Sequence, residues 1–144
     1  MTKVAAVLLV DQRGCVLLQE RDANAPIAPN KWGMVGGHVE DGEAFEAAAY
    51  RELCEETGLS LSGGLHLWRD DHWKYPNAVE PNHYQLWVAG TTATDSDIVV
   101  GEGRQIVFVS PERIPDLDLG GSAGHFLPLF LASAEYRELV PARG

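Results

Sequence analysis

Apolar residues cluster at the start of the chain, where residues 3–11 carry the run "VAAVLLV" at 4–10 and residues 15–20 carry "VLLQE". Two such apolar stretches around the turn residues "DQRG" predict a pair of strands joined as a hairpin. Residues 22–31, "DANAPIAPNK", hold two prolines and no apolar period, which predicts a loop. "WGMVGGHVEDG" then reads as a short strand running into a glycine-rich loop. The pattern changes over 43–57, where alanines at 44, 47, 48 and 49 favour a helix, with Glu43 at its positive N-terminal end and Gly58 as its C-terminal stop. "LHLWRDDHW", "HYQLWVAGT" and "RQIVFVS" predict three further strands. A last helix is expected within 125–139, with Pro128 limiting how early it begins. Hairpins with two helices predict a single α/β (α+β) domain over residues 1–144, with a mixed sheet and a helix on each face.

Composition narrows the class. At 45% hydrophobic and 22% charged, the 144 residues suit one soluble globular domain. The longest apolar run falls far short of the roughly 20 residues a membrane helix needs. It also lacks the flanks of a signal peptide, so a cytoplasmic protein with no membrane partner is expected. Cys15 and Cys54 stand apart, with no CxxC spacing, which argues against a disulfide framework or a cysteine-ligated zinc. A formal net charge of −10 disfavours a polynucleotide partner, whose phosphates attract Lys/Arg surfaces.

Three of the acidic residues stand close together in "RELCEETGL", residues 51–59. Helical residues rotate by about 100° each, so Glu52, Glu55 and Glu56 fall within an arc of roughly 100°. Like charges spaced i,i+4, as Glu52 and Glu56 are, cost about 0.2–0.5 kcal/mol, and the following turn holds no basic residue. A divalent cation reverses the sign of that interaction, and an all-oxygen donor set suits Mg²⁺ or Mn²⁺. A solvated acidic helix face is the competing reading of three glutamates taken alone.

The wider segment 37–59, "GHVEDGEAFEAAAYRELCEETGL", resembles the Nudix box: Gly37, Glu43, Arg51-Glu52-Leu53, Glu55-Glu56 and Gly58-Leu59 stand at the motif's spacing. The approach "KWGMVGGHVE" and the later "GEGRQIVFVSPERI" are also similar to that family. The resemblance implies an α/β/α sandwich and a hydrolase that cuts a diphosphate linkage in a nucleoside triphosphate or a nucleoside diphosphate derivative. It implies Mg²⁺ or Mn²⁺ as cofactor and a small molecule as partner, and it allows a homodimer. By motif position Glu52 and Glu56 are metal ligands, Glu55 is a ligand or the general base, and the Gly37 carbonyl is a further ligand. Glu43 and Arg51 are a structural pair tying loop to helix. Glu102, between two glycines in "GEGRQ", is expected as a further ligand or base from across the site, against the alternative of a surface loop acid. Arg21 is similar to a phosphate-contacting position, and Trp32 and His38 are candidate substrate contacts. Trp68, Trp73, Tyr75 and Trp87 are further candidates for stacking on a base, each in or near a predicted strand where packing is the commoner role. The alternative is a Nudix-fold binding or regulatory domain without catalysis, although such domains commonly lose box glutamates and this chain retains them.

Three other motifs are excluded. "GGSAG" at 120–124 fits a nucleophile elbow, but His125 is the only later histidine and no acid precedes it. A calcium loop begun by "DSD" at 95–97 would place Ile106 at its twelfth position. No HExxH is present.

Overall fold

The computed structural model describes residues 1–141. Its strands are β1 (Lys3–Val10), β2 (Val16–Glu20), β3 (Trp32–His38), β4 (His66–Trp73), β5 (Asn82–Gly90) and β6 (Gln105–Val109). The helices are α1 (Phe45–Thr57), α2 (Gly121–Leu131) and α3 (Ala134–Leu139). The six strands form one sheet in the order β4-β5-β1-β3-β2-β6, with β1 and β5 parallel and the other pairs antiparallel.

Strand β1 lies inside the sheet and is covered on both faces, which is why it reads as an unbroken apolar run. Ala5, Val7 and Leu9 pack with Val35, Ala48, Ala49 and Leu53 beneath α1. Ala6, Leu8 and Val10 pack with Leu86, Phe126 and Phe130 beneath α2. This is a mixed sheet between helices, the expected architecture. No helix among the described residues is long and apolar enough to cross a membrane.

Two local expectations are corrected. Strands β1 and β2 flank the predicted turn, in which the Asp11 carboxylate accepts from the backbone N–H groups of Arg13 and Cys15, both at 2.9 Å. Their strand-to-strand register contains only Val10↔Val16, because β3 is inserted between them. Gly36 permits the insertion: a Cβ there would lie 2.2 Å from the Ala5 carbonyl oxygen, and its φ of +145° disfavours any side chain. The C-terminal helix begins earlier than Pro128 suggested, and the proline sits inside α2. Burial of Ala123, Phe126, Leu127 and Phe130 on one face of α2 offsets the hydrogen bond that proline removes. The chain then breaks, and Ser133 restarts it by accepting from the Tyr136 N–H at the head of α3.

Candidate active site

Helix α1 buries Ala48, Ala49, Leu53 and Thr57 against the sheet. Glu52 and Glu56 lie on the flank of that stripe, whereas Glu55 is turned well over 90° from Leu53. The exposures follow: the Glu52 side chain is 14% exposed and that of Glu55 is 58% exposed. Helical geometry therefore separates three adjacent acids into two that line a cleft and one that faces water.

Arg51 does more than hold Glu43. Its guanidinium donates to both Glu43 oxygens (2.8 and 2.9 Å), to Glu52 Oε1 (2.9 Å), to Glu55 Oε2 (3.2 Å) and to the His38 carbonyl (3.1 Å). The last turn of α1 holds no basic residue, as expected, and relief of the acidic face comes instead from the residue just before Glu52. Arg51, helped by the Glu40 N–H, holds the Glu43 carboxyl down to about 2. Glu43 itself precedes the helix, which starts two residues later than expected. Arg51→Lys is expected to lower activity about 10–100-fold, because a single ammonium cannot reproduce the fork that orients several carboxylates. A kcat/KM comparison in the presence of Mg²⁺ checks this.

Glu56 is the acid left over. Its Oε2 is buried and has no hydrogen-bond partner. Burial first, then the neighbouring charges of Glu52 and Glu102, push its carboxyl up to about 8, with Arg21 opposing. Burial also raises Glu52, in spite of Arg51. The loop that leads into β6 is stitched to the end of α1: Val99 N–H donates to the Thr57 carbonyl (2.9 Å) and Gly101 N–H to the Glu56 carbonyl (2.8 Å). A Cβ on Gly101 would meet the Glu55 carbonyl at 2.2 Å, so glycine allows this approach. Buried Gln19 donates to the Glu102 carbonyl at 2.8 Å, fastening the loop from the sheet side. Gln19 is not among the expected site residues. In the sequence it is the first polar residue after the apolar run Val16–Leu18 of β2, and nothing there marks it as buried.

Glu52, Glu56, Glu102, Gly37, Arg21 and His38 all line one cleft of about 450 Å³. Arg21 is steadied by donating to the Ile27 carbonyl at 3.0 Å. Trp32 stands elsewhere. Its N–H donates to the Asp118 carbonyl (2.8 Å), and its ring is packed against the apolar cluster under α2. Trp68 and Trp73 pack against the same cluster, and Trp87 is buried beneath α1, whereas Tyr75 reaches the cleft wall.

Among the described residues, no three His, Cys, Asp or Glu side chains already stand in ligating geometry. The donor chemistry nevertheless fits a hard cation. Carboxylates of Glu52, Glu56 and Glu102 and the Gly37 carbonyl are all oxygen donors, and the orphaned Glu56 Oε2 lacks the partner a cation would be.

The family described as "NUDIX domain" matches residues 1–130. The nucleoside triphosphatase NudI of Salmonella paratyphi B is 30% identical over 128 residues, covering 84% of this chain and 91% of the relative. A MutT NUDIX hydrolase from Burkholderia pseudomallei is similar in structure, with a TM-score of 0.73 at 22% identity over 88% of this chain and 95% of the other. The NUDIX domain of Shewanella oneidensis NrtR, solved in complex with ADP ribose, also has a TM-score of 0.73, at 15% identity over 88% of this chain and 83% of the other.

Proposed function

We propose, from the premise that the chain belongs to the Nudix family, that it is a pyrophosphohydrolase acting with Mg²⁺ or Mn²⁺ on a nucleoside triphosphate or a nucleoside diphosphate derivative. The observation that carries this reading is the buried, unpartnered Oε2 of Glu56 beside Glu52 and Glu102. A structural carboxylate would have both oxygens satisfied or solvated, whereas Oε2 of this one is neither. The name of the NudI relative and the ADP ribose bound to the NrtR domain support a nucleotide as the small molecule.

Each residue then has a role. Glu52, Glu56 and Glu102, with the Gly37 carbonyl, would hold the cation. When bound, the cation supplies neutralisation of the diphosphate charge and orientation for in-line attack. Arg21, on the cleft wall, receives phosphate oxygens as a fixed positive charge. Water attacks phosphorus, the anhydride P–O bond breaks, and a phosphate group leaves with its electron pair. The proton of the water passes to a carboxylate of α1, and Glu55 is the one that stays open to solvent at 58% exposure. Arg51 fixes the orientation of Glu52 and Glu55 and itself touches no reacting atom.

A panel of nucleoside triphosphates, nucleotide sugars, ADP-ribose and dinucleoside polyphosphates tests this. At least one member is expected to turn over with Mg²⁺ or Mn²⁺ and to remain intact when EDTA is present. Tight nucleotide binding without turnover, metal present, would assign the fold a sensing role instead.

A further inference from the structure

Four acids line the cleft, Asp22, Glu52, Glu56 and Glu102, and Arg21 is the one lysine or arginine among its described lining residues. Where that charge stands decides how a phosphate chain lies against the glutamates. Arg21 follows directly on β2 and opens the loop over 22–31. Its side chain runs along Gly33, where a Cβ would stand 3.1 Å from Nη2, and Nη1 donates to the Ile27 carbonyl at 3.0 Å. The guanidinium is held by its own loop, so it is no better placed than that loop is.

The loop is not relaxed. Ala28 and Asn30 have φ of +47° and +62°, a left-handed region that asparagine tolerates and alanine seldom adopts. Such backbone persists only where its surroundings hold it. Two sets of contacts do so here. On one side Ala28 sits against Gly120, where a Cβ would stand 2.9 Å from its own, and Lys31 Nζ donates to Asp118 at 2.9 Å. On the other side stands Arg104, two residues beyond Glu102. Its guanidinium donates to Asn30 Oδ1 (2.5 Å) and to the Arg21 carbonyl (3.4 Å), joining the two ends of the loop. Its backbone N–H donates to the Glu20 carbonyl at 2.9 Å. Arg104 is exposed and stands outside the cleft lining, and both of these acceptors are neutral oxygens.

We propose that Arg104 is a positioning residue, which fixes Arg21, and with it the phosphate chain, relative to Glu102. The inference rests on the hydrolase reading, in which Arg21 receives phosphate oxygens. Gly103 lets the segment that carries Glu102 come in against β2: its φ is +90°, and a Cβ there would lie 2.8 Å from the Glu20 carbonyl oxygen. One short stretch, residues 102–104, therefore presents an acid to the cleft and holds the loop that bears the arginine. Shortening the Arg104 side chain frees the loop without touching the bond from Gln19 to the Glu102 carbonyl.

Calorimetric titration with methylenebisphosphonate, whose P–C–P bridge cannot be hydrolysed, reads phosphate binding with Mg²⁺ present and without turnover. Arg21→Ala is expected to weaken that binding about tenfold, the loss of one charge-assisted contact. Arg104→Ala and Asn30→Gly are each expected to weaken it about fivefold. Glycine at position 30 keeps the left-handed backbone and the charge of Arg104 while deleting the acceptor, so its effect is one of position and not of charge. With Arg21 already replaced by alanine, Arg104→Ala is expected to cost less than about twofold, since a residue that acts through another has nothing left to act on. Mn²⁺ affinity is expected to stay at its wild-type value in both loop variants, and thermal melts confirm that they fold. Wild-type phosphate affinity in either variant, an equal fall in Mn²⁺ affinity, or an Arg104→Ala loss undiminished without Arg21 overturns the proposal. An Arg21→Ala protein that binds the bisphosphonate like wild type overturns it too, while turnover on the substrate panel still upholds the hydrolase reading. The expected losses without any turnover uphold the positioning and sink that reading.

Discussion

Replacing Glu56 by glutamine is expected to lower the Mg²⁺-dependent rate about a thousandfold, a loss of roughly 4 kcal/mol of transition-state stabilisation. The amide keeps the shape of the side chain but cannot become the anionic donor that the buried, unpartnered Oε2 would offer a cation. The same change should make the metal-free fold less sensitive to alkali. The folded Glu56 carboxyl stands at about 8 against an ordinary 4.5, so between those values the folded chain binds more protons than the unfolded one. Its contribution to stability is therefore complete below pH 4.5 and is lost as pH rises through about 8. Glu43 behaves oppositely. Held at about 2 by Arg51, it contributes above pH 4.5 and loses that contribution as pH falls towards 2. Thermal melts of the wild type and the glutamine variant from about pH 5 to about pH 8.5, with EDTA, should converge at low pH and separate at high pH, glutamine being the more stable. Rates measured with saturating Mg²⁺ check the catalytic half.

Gly37→Ala is expected to reduce activity about a hundredfold while leaving the fold intact, a magnitude typical of a misplaced reacting group. An added Cβ would stand 2.6 Å from Cδ and Oε2 of Glu52 and 2.7 Å from Oε1. What it meets is the flexible end of a side chain, so the backbone is undisturbed and the carboxylate moves aside. Gly36→Ala gives the contrast. There the Cβ meets the Ala5 backbone, φ is +145°, and loss of stability is expected. Melting temperatures and kcat/KM for the two alanine variants separate a displaced ligand from a displaced strand. A Gly37→Ala enzyme with the wild-type rate would show that Glu52 needs no fixed position.

Much of this site is local in sequence, which is why it is legible there. The spacing of Gly37, Glu43, Arg51, Glu52 and Glu56 marks the loop and helix, and the stripe Ala48, Ala49, Leu53 already implies which glutamates face the sheet. Arg51 reaches further than the pairing with Glu43 that its motif position implies. Helical neighbours at i,i+1 do not face each other at Cβ, yet a long guanidinium reaches around to Glu52. The insertion of β3 between β1 and β2 is hidden from local patterns because strand pairing is decided by long-range fit, here by the missing side chain of Gly36. Pro128 points the wrong way for a related reason, since packing of Phe126 and Phe130 overrides a local helix-breaking signal. The apolar end of the cleft leaves no sequence motif at all. Val4, Met34, Tyr84 and Ser122 come from four separate elements and meet only when the sheet and α2 assemble.

If Glu56 keeps a proton until a cation replaces it, proton release on metal binding measures that exchange most directly. Mn²⁺ titrated into the protein at about pH 7, in buffers of differing ionisation enthalpy, should release close to one proton per bound ion. The Glu56→Gln protein should release almost none and bind the ion more weakly. Equal proton release from both proteins, or Mn²⁺ binding to wild type with no release, would contradict the account.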